Sequence, residues 1–144
     1  MSRITLEHVN LTVTDLPATL HFIELALPDW RVRGSGQMDW FGKTIDWCHV
    51  GDDHSYLALQ SGGETAPIDW QSHHTAVKHI GLVVPDVAQV VERLNAAGYP
   101  LDHWGGTGAA RRSAYVMAPG ALQFEFVQYD SEDLALRNDY VTPR

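Results

Sequence analysis

Two histidines occupy matching places in two similar stretches of the chain. His8 is the second residue of EHVNLTVTDL (7–16), and His79 is the second residue of KHIGLVVPDV (78–87). The offset between them is 71 residues (79 minus 8). A repeat of this length predicts two copies of one supersecondary unit. Because neutral imidazole is a common ligand of divalent metal ions, a histidine at the same place in both copies predicts a metal site where the copies meet.

A glutamate near the end of the second copy adds a third candidate ligand. In LQFEFV (122–127) the residues alternate, so Phe124 and Phe126 are predicted to face a helix while Glu125 faces the same way as the histidines. Its counterpart in the first copy, 67 residues earlier, is Ala58. A buried Glu125 would be costly without a cation.

The four matching positions are thus two histidines, one glutamate and one alanine. Two imidazoles and one carboxylate leave coordination positions open, which suits Fe(II), Mn(II) or a related ion. A single strand histidine is more often a structural or surface residue, and a single strand glutamate is more often exposed. The shared repeat position favours metal binding.

The elements that would position these residues follow the same order in both copies. Asp15 and Asp86 are suitable helix N-caps, Pro28 ends the first helix, and Gly98 suits the end of the second. The first copy is predicted to contain strands at 4–14, 30–35, 44–50 and 54–60 and a helix over 16–27. The second copy is predicted to contain strands at 77–84, 101–104, 112–118 and 121–128 and a helix over 87–97.

This order predicts an α+β fold of two βαβββ modules that pair into an eight-stranded sheet around a cavity. The predicted segments are a first module at 1–61, a linker at 62–76, a second module at 77–128 and a C-terminal tail at 129–144. A short helix is expected around 131–138.

Composition restricts the function classes. The chain has 144 residues with a net charge of −8, and its basic residues form no cluster beyond the Arg111-Arg112 pair, which argues against nucleic-acid binding. No apolar run approaches the roughly 20 residues of a membrane helix. The single Cys48 excludes an internal disulfide. These features predict a cytoplasmic protein without membrane or nucleic-acid partners.

Three motifs resemble the vicinal oxygen chelate superfamily, also called the glyoxalase/bleomycin resistance/dioxygenase superfamily. They are EHVNLTV followed by DL, KHIGL followed by PDV, and YVMAPG (115–120) leading to FEF (124–126). The resemblance covers residues 4–128. It implies a metal site and a small substrate that chelates the ion through neighbouring oxygens.

The ligand pattern narrows what the resemblance implies. Glyoxalase I-like members use four ligands, and Ala58 departs from that pattern. Extradiol dioxygenases and fosfomycin-resistance enzymes use three, which match His8, His79 and Glu125, and both have a tyrosine at the place of Tyr115. The phosphonate clamp of the fosfomycin enzymes has no counterpart here. The implied cofactor is Fe(II), with Mn(II), Zn(II) or Ni(II) as alternatives.

Further residues are candidates for catalysis and substrate binding. Tyr115 would hydrogen-bond an oxygen at the metal, and His103 would act as an acid or base, although packing and surface roles are the alternatives. Asn10, Trp47 and Trp104 are candidate substrate contacts.

The leading hypothesis is a metal-dependent dioxygenase. The alternatives are an isomerase, epimerase or lyase that uses the same site, and a small-molecule binding protein with a vestigial site. A homodimer is expected, with the tail and one or more tryptophans at the subunit contact.

Overall fold

The chain forms two compact units, residues 1–66 and 67–144, in a computed structural model that describes residues 2–64, 68–106 and 108–142. Each unit contains one four-stranded mixed sheet, so the predicted α+β class is confirmed. The boundary between the units falls inside the predicted linker. Residues 65–67 of that linker and 143–144 of the predicted tail lie outside the described residues.

The first unit follows the predicted order strand, helix and three strands. Its elements are β1 (His8–Thr12), α1 (Leu16–Ala26), β2 (Arg31–Trp40), β3 (Lys43–Gly51) and β4 (Tyr56–Gln60). The sheet order is β1-β4-β3-β2, with β1 parallel to β4 and the other pairs antiparallel. Helix α1 begins where Asp15 accepts a 3.0 Å hydrogen bond from the Ala18 amide. Buried side chains of α1, β3 and β4 include Phe22, Ile23, Val50, Leu57 and Leu59.

The hairpin of β2 and β3 is longer than the sequence predicts. The predicted strand ends at residue 35, but β2 continues through Gly36 to Trp40, and Gly34 and Gly36 both lie within it. The reason is the indole of Trp47 on β3, which covers them: a Cβ atom on Gly36 would lie 3.2 Å from the indole ring. The turn instead falls at Phe41 and Gly42, whose φ angles are +48° and +91°.

The second unit repeats this arrangement and adds a short helix. Its elements are β5 (Ile80–Val83), α2 (Val87–Ala96), β6 (Leu101–Gly105), β7 (Arg111–Ala118), β8 (Leu122–Tyr129) and α3 (Leu134–Arg137), in the sheet order β5-β8-β7-β6. Asp86 caps α2 through a 3.1 Å bond from the Gln89 amide, and Gly98 follows the helix with φ +92°.

Strand register confirms which residues of the two units correspond. On the first parallel pair Asn10 is opposite Ala58, and on the second Gly81 is opposite Glu125. Ala58 and Glu125 therefore hold equivalent places, as the repeat predicts. Among the described helices, none combines the length and apolar character that crossing a membrane requires.

Candidate functional site

The most polar buried position of the second sheet is Glu125 on β8. Glu125 is 5% exposed, and its neighbours across the sheet are Gly81 on β5 and Tyr115 on β7. The two carboxylate oxygens have different partners: Oε2 lies 3.1 Å from His79 Nε2, and Oε1 accepts a 2.8 Å hydrogen bond from Arg111 Nη2. The structure thus brings two of the three predicted metal ligands together.

Arg111 is a site residue that the sequence analysis missed. The sequence analysis expected a cation beside buried Glu125, and the structure supplies the guanidinium of Arg111. Register explains the contact, because Arg111 is opposite Tyr129 and reaches diagonally along the hairpin to Glu125. The strands predicted at 112–118 and 121–128 imply a short hairpin, but they do not show the direction of the Arg111 side chain.

Aromatic rings surround the pair of His79 and Glu125. Tyr115 meets His79 edge-on at 5.4 Å between ring centroids and stacks on His103 at 4.3 Å. The pKa of Tyr115 is raised, first by burial and then by the negative charge of Glu125. The hydroxyl therefore stays protonated and remains a hydrogen-bond donor. Trp70, which was not predicted, lies 6.0 Å from His103.

His103 has a carboxylate partner of its own. Its Nδ1 lies 2.8 Å from Asp102 Oδ2, so Nε2 is the ring nitrogen left for another partner. The Gln123 amide donates to the same Asp102 oxygen at 3.4 Å. A histidine held by a carboxylate in this way has the arrangement used for proton transfer.

The geometry of His79 and Glu125 fits a metal ion. Ligand atoms at about 2.1 Å from an ion and at a right angle to each other are about 3.0 Å apart. The observed separation of His79 Nε2 and Glu125 Oε2 is 3.1 Å. Within either unit, the described residues include no group of three His, Cys, Asp or Glu side chains able to hold an ion. Two of the predicted ligands, His79 and Glu125, lie close together in the second unit, and metal binding by these residues with His8 stays a prediction.

His8 lies in a row of rings on the first sheet. It stacks on Tyr56 at 4.8 Å, and Tyr56 stacks on His49 at 4.6 Å. Glu7 Oε1 lies 2.9 Å from His8 Nδ1, which leaves Nε2 for a metal. The pKa of Glu7 is lowered, chiefly by this hydrogen bond, and the pKa of His49 is lowered, chiefly by burial.

The three predicted substrate contacts have different surroundings. Asn10 donates a 2.9 Å hydrogen bond to Gln60 Oε1, and Trp47 extends the row of rings at 5.0 Å from His49. Trp104 does not join the site. It is opposite Ala114 on β7, whereas its neighbour His103 is opposite Tyr115, so the indole and the imidazole face opposite sides of the sheet.

Solved structures with the same fold come from several bacteria. A glyoxalase/bleomycin resistance protein/dioxygenase domain from Frankia sp. EAN1pec is 21% identical, with a TM-score of 0.70 over 89% of this chain and 99% of that one. A glyoxalase family protein from Bacillus cereus is 12% identical, with a TM-score of 0.71 over 91% and 97%.

A third structure is a mutant of the fosfomycin resistance protein FosX from Listeria monocytogenes, complexed with Mn(II) and 1S,2S-dihydroxypropylphosphonic acid. It is 18% identical, with a TM-score of 0.68 over 96% of this chain and 100% of that one. At these identities the likeness shows the fold alone.

Family assignment comes from the sequence. No curated protein shows significant sequence similarity to the chain. A family model described as the glyoxalase/bleomycin resistance protein/dioxygenase superfamily matches residues 7–116, well over half of the chain. That match spans both units and includes His8 and His79. The chain belongs to the glyoxalase/bleomycin resistance protein/dioxygenase superfamily.

Proposed function

We propose that this protein is a divalent-metal-dependent enzyme whose ligands are His8, His79 and Glu125. Its substrate is a small molecule that binds the ion through two neighbouring oxygens, and its reaction is that of a dioxygenase. The observation that carries the proposal is the 3.1 Å separation of His79 Nε2 and Glu125 Oε2 on a buried carboxylate.

Fe(II) is the proposed ion, with Mn(II), Zn(II) and Ni(II) as alternatives. Two imidazoles and one carboxylate suit iron that must keep positions open. When bound, such an ion supplies a Lewis acid and a template for substrate and dioxygen. The FosX structure that contains Mn(II) supports a divalent ion in this fold.

The chain's own residues then orient the substrate and move protons. Tyr115 is opposite Glu125 on the neighbouring strand, and its hydroxyl donates a hydrogen bond to an oxygen of the bound substrate. His103 accepts a proton at Nε2, because Asp102 holds Nδ1 and fixes the orientation of the ring. On the first unit, Asn10 and Trp47 contact the substrate.

A second candidate function is a non-redox isomerase, epimerase or lyase on the same site. That chemistry needs a base, and His103 is the candidate from the sequence. The carboxylate-held His103 is the observation that favours it. A third possibility is a small-molecule binding protein in which the ligand set is vestigial.

Metal content and oxygen uptake distinguish the three. The protein is purified anaerobically, its metals are quantified, and oxygen consumption is followed with a panel of catechols. A dioxygenase contains stoichiometric metal and consumes oxygen. An isomerase or lyase contains metal, consumes none, and exchanges a substrate C–H proton with deuterated solvent. A binding protein contains no metal.

The matched variants are His79→Ala and His73→Ala. His73 is an exposed histidine of the same unit with no place in the site. Loss of metal in the first variant alone supports the ligand set, whereas full occupancy in His79→Ala refutes it.

A further inference from the structure

The two oxygens of Glu125 are not equivalent. Arg111 Nη2 donates to Oε1 at 2.8 Å, while Oε2 lies 3.1 Å from His79 Nε2. The carboxylate side chain is 7% exposed and the arginine side chain 31%. In such a poorly hydrated place, a charge-assisted hydrogen bond is stronger than on the surface.

Arg111 is itself held in place by the C-terminal segment. Its guanidinium carbon lies 5.9 Å from the ring centroid of Tyr129, its partner across the β7–β8 pair. Arg137 of α3 lies over the same ring at 4.9 Å, and its Nε donates to the Ser131 carbonyl at 2.8 Å. Strand pairing and these contacts fix the direction from which Arg111 approaches Glu125.

We propose that Arg111 is a positioning residue that makes Glu125 a monodentate ligand through Oε2. This inference rests on the proposed metal site. An ion that took both oxygens would have to displace the guanidinium from Oε1 and break this poorly hydrated ion pair. Hydrogen-bonded partners of ligating carboxylates orient the ligand and strengthen metal binding in general.

The alternative is that Arg111 only neutralises a buried charge. Ion selectivity separates the two roles. Ca(II) accepts bidentate carboxylates and six to eight ligands, whereas smaller ions favour fewer and more directed ligands. If Arg111 blocks bidentate binding, its removal weakens Mn(II) and spares or strengthens Ca(II). A purely structural role would weaken both ions alike.

The experiment titrates the full-length protein with MnCl₂, with free Mn(II) followed by electron paramagnetic resonance, and then with CaCl₂ in competition. Arg111→Met is expected to lower Mn(II) affinity by about 10- to 100-fold. The ratio of Mn(II) to Ca(II) affinity is expected to fall by about tenfold or more. Arg111→Lys keeps the charge at Oε1 and is expected to retain most of the ratio.

Arg112→Met is the matched control. Arg112 is the next residue of β7 and is opposite Gln128, so it faces away from Glu125. Arg112→Met is expected to change neither the Mn(II) affinity nor the ratio of Mn(II) to Ca(II) affinity. If Arg111→Met fails to fold, Arg111→Gln, which keeps a neutral N–H donor, carries the same test.

Two results would overturn the inference: an unchanged ratio in folded Arg111→Met or Arg111→Gln, or a fall in Arg111→Lys as large as in Arg111→Met. Failure of the proposed function looks different, because the wild-type protein would then bind no Mn(II) at the start.

Discussion

Replacing Glu125 with glutamine separates the metal site from the stability of the fold. The amide keeps the size of the side chain and an oxygen that can accept from Arg111, but it loses the charge. A hydrogen bond to a charged group contributes about 1.5–3 kcal/mol and a neutral one about 0.5–1.5. We therefore expect metal-free Glu125→Gln to lose about 1–2 kcal/mol of the free energy of unfolding.

For a chain of this size, that loss lowers Tm by about 3–8 °C. Metal affinity is expected to fall further than the roughly 100-fold that losing an outer partner costs, because the amide replaces a ligand itself. Differential scanning calorimetry of the metal-free protein gives the first quantity, and Mn(II) titration gives the second.

Glu132→Gln is the matched control, since Glu132 pairs with Arg137 at 3.1 Å but its side chain is 96% exposed. Exposed ion pairs contribute little, so its Tm should not change measurably. If Glu125→Gln is as stable as the wild type, the ion pair with Arg111 does not stabilise the fold. If it keeps the full metal affinity, Glu125 is not a ligand.

Four further predictions concern other parts of the chain. Ala58→Glu should lower the Tm of the metal-free protein, because it buries an unpaired carboxylate, and added Ni(II) or Zn(II) should restore the Tm. A Tm that does not change when metal is added would exclude residue 58 from the site. Phe41→Asn should raise the urea midpoint of unfolding, since asparagine tolerates positive φ and relieves about 1 kcal/mol; a lower midpoint would contradict this. The pKa of His49 is lowered in the fold, so the wild type should lose stability as the pH falls from 6.5, the ordinary pKa of histidine, towards the folded value. In urea titrations, His49→Gln should reduce the dependence of the unfolding free energy on pH. An equal dependence in the variant and the wild type would rule out His49 as the cause. Sedimentation velocity should show a dimer for the full chain and a monomer for a chain ending at Asp130; a full-length monomer at micromolar concentration would refute the dimer.

The sequence predicted the parts of the fold that depend on local signals. Asp15 and Asp86 start the helices as expected, and the spacing of the repeat identified Ala58 and Glu125 as equivalent before any register was known. Alternation along a strand was enough to place Glu125 beside His79, because side-chain direction on a strand depends only on parity.

Features set by contacts between strands were not predictable in the same way. The strand predicted at 30–35 is too short, since nothing in the sequence shows that Trp47 of the next strand will cover Gly34 and Gly36. Arg111 was passed over as one half of a basic pair, although its diagonal reach makes it a partner of Glu125. The contact of Trp70 with His103 was not predicted, because the position of a loop residue does not follow from any repeating sequence pattern.

Because Trp47 contacts His49, the intrinsic fluorescence of Trp47 reports on the state of the first unit. A protonated imidazole beside an indole quenches its fluorescence by accepting an electron from the excited state, and a neutral imidazole does so far less. With 5.0 Å between the ring centroids, the emission of Trp47 should dim as His49 gains its proton. Subtracting the spectrum of Trp47→Phe removes the other four tryptophans. Because Tyr56 stacks between His49 and His8, a ligand that disturbs His8 would change the same signal without any added label.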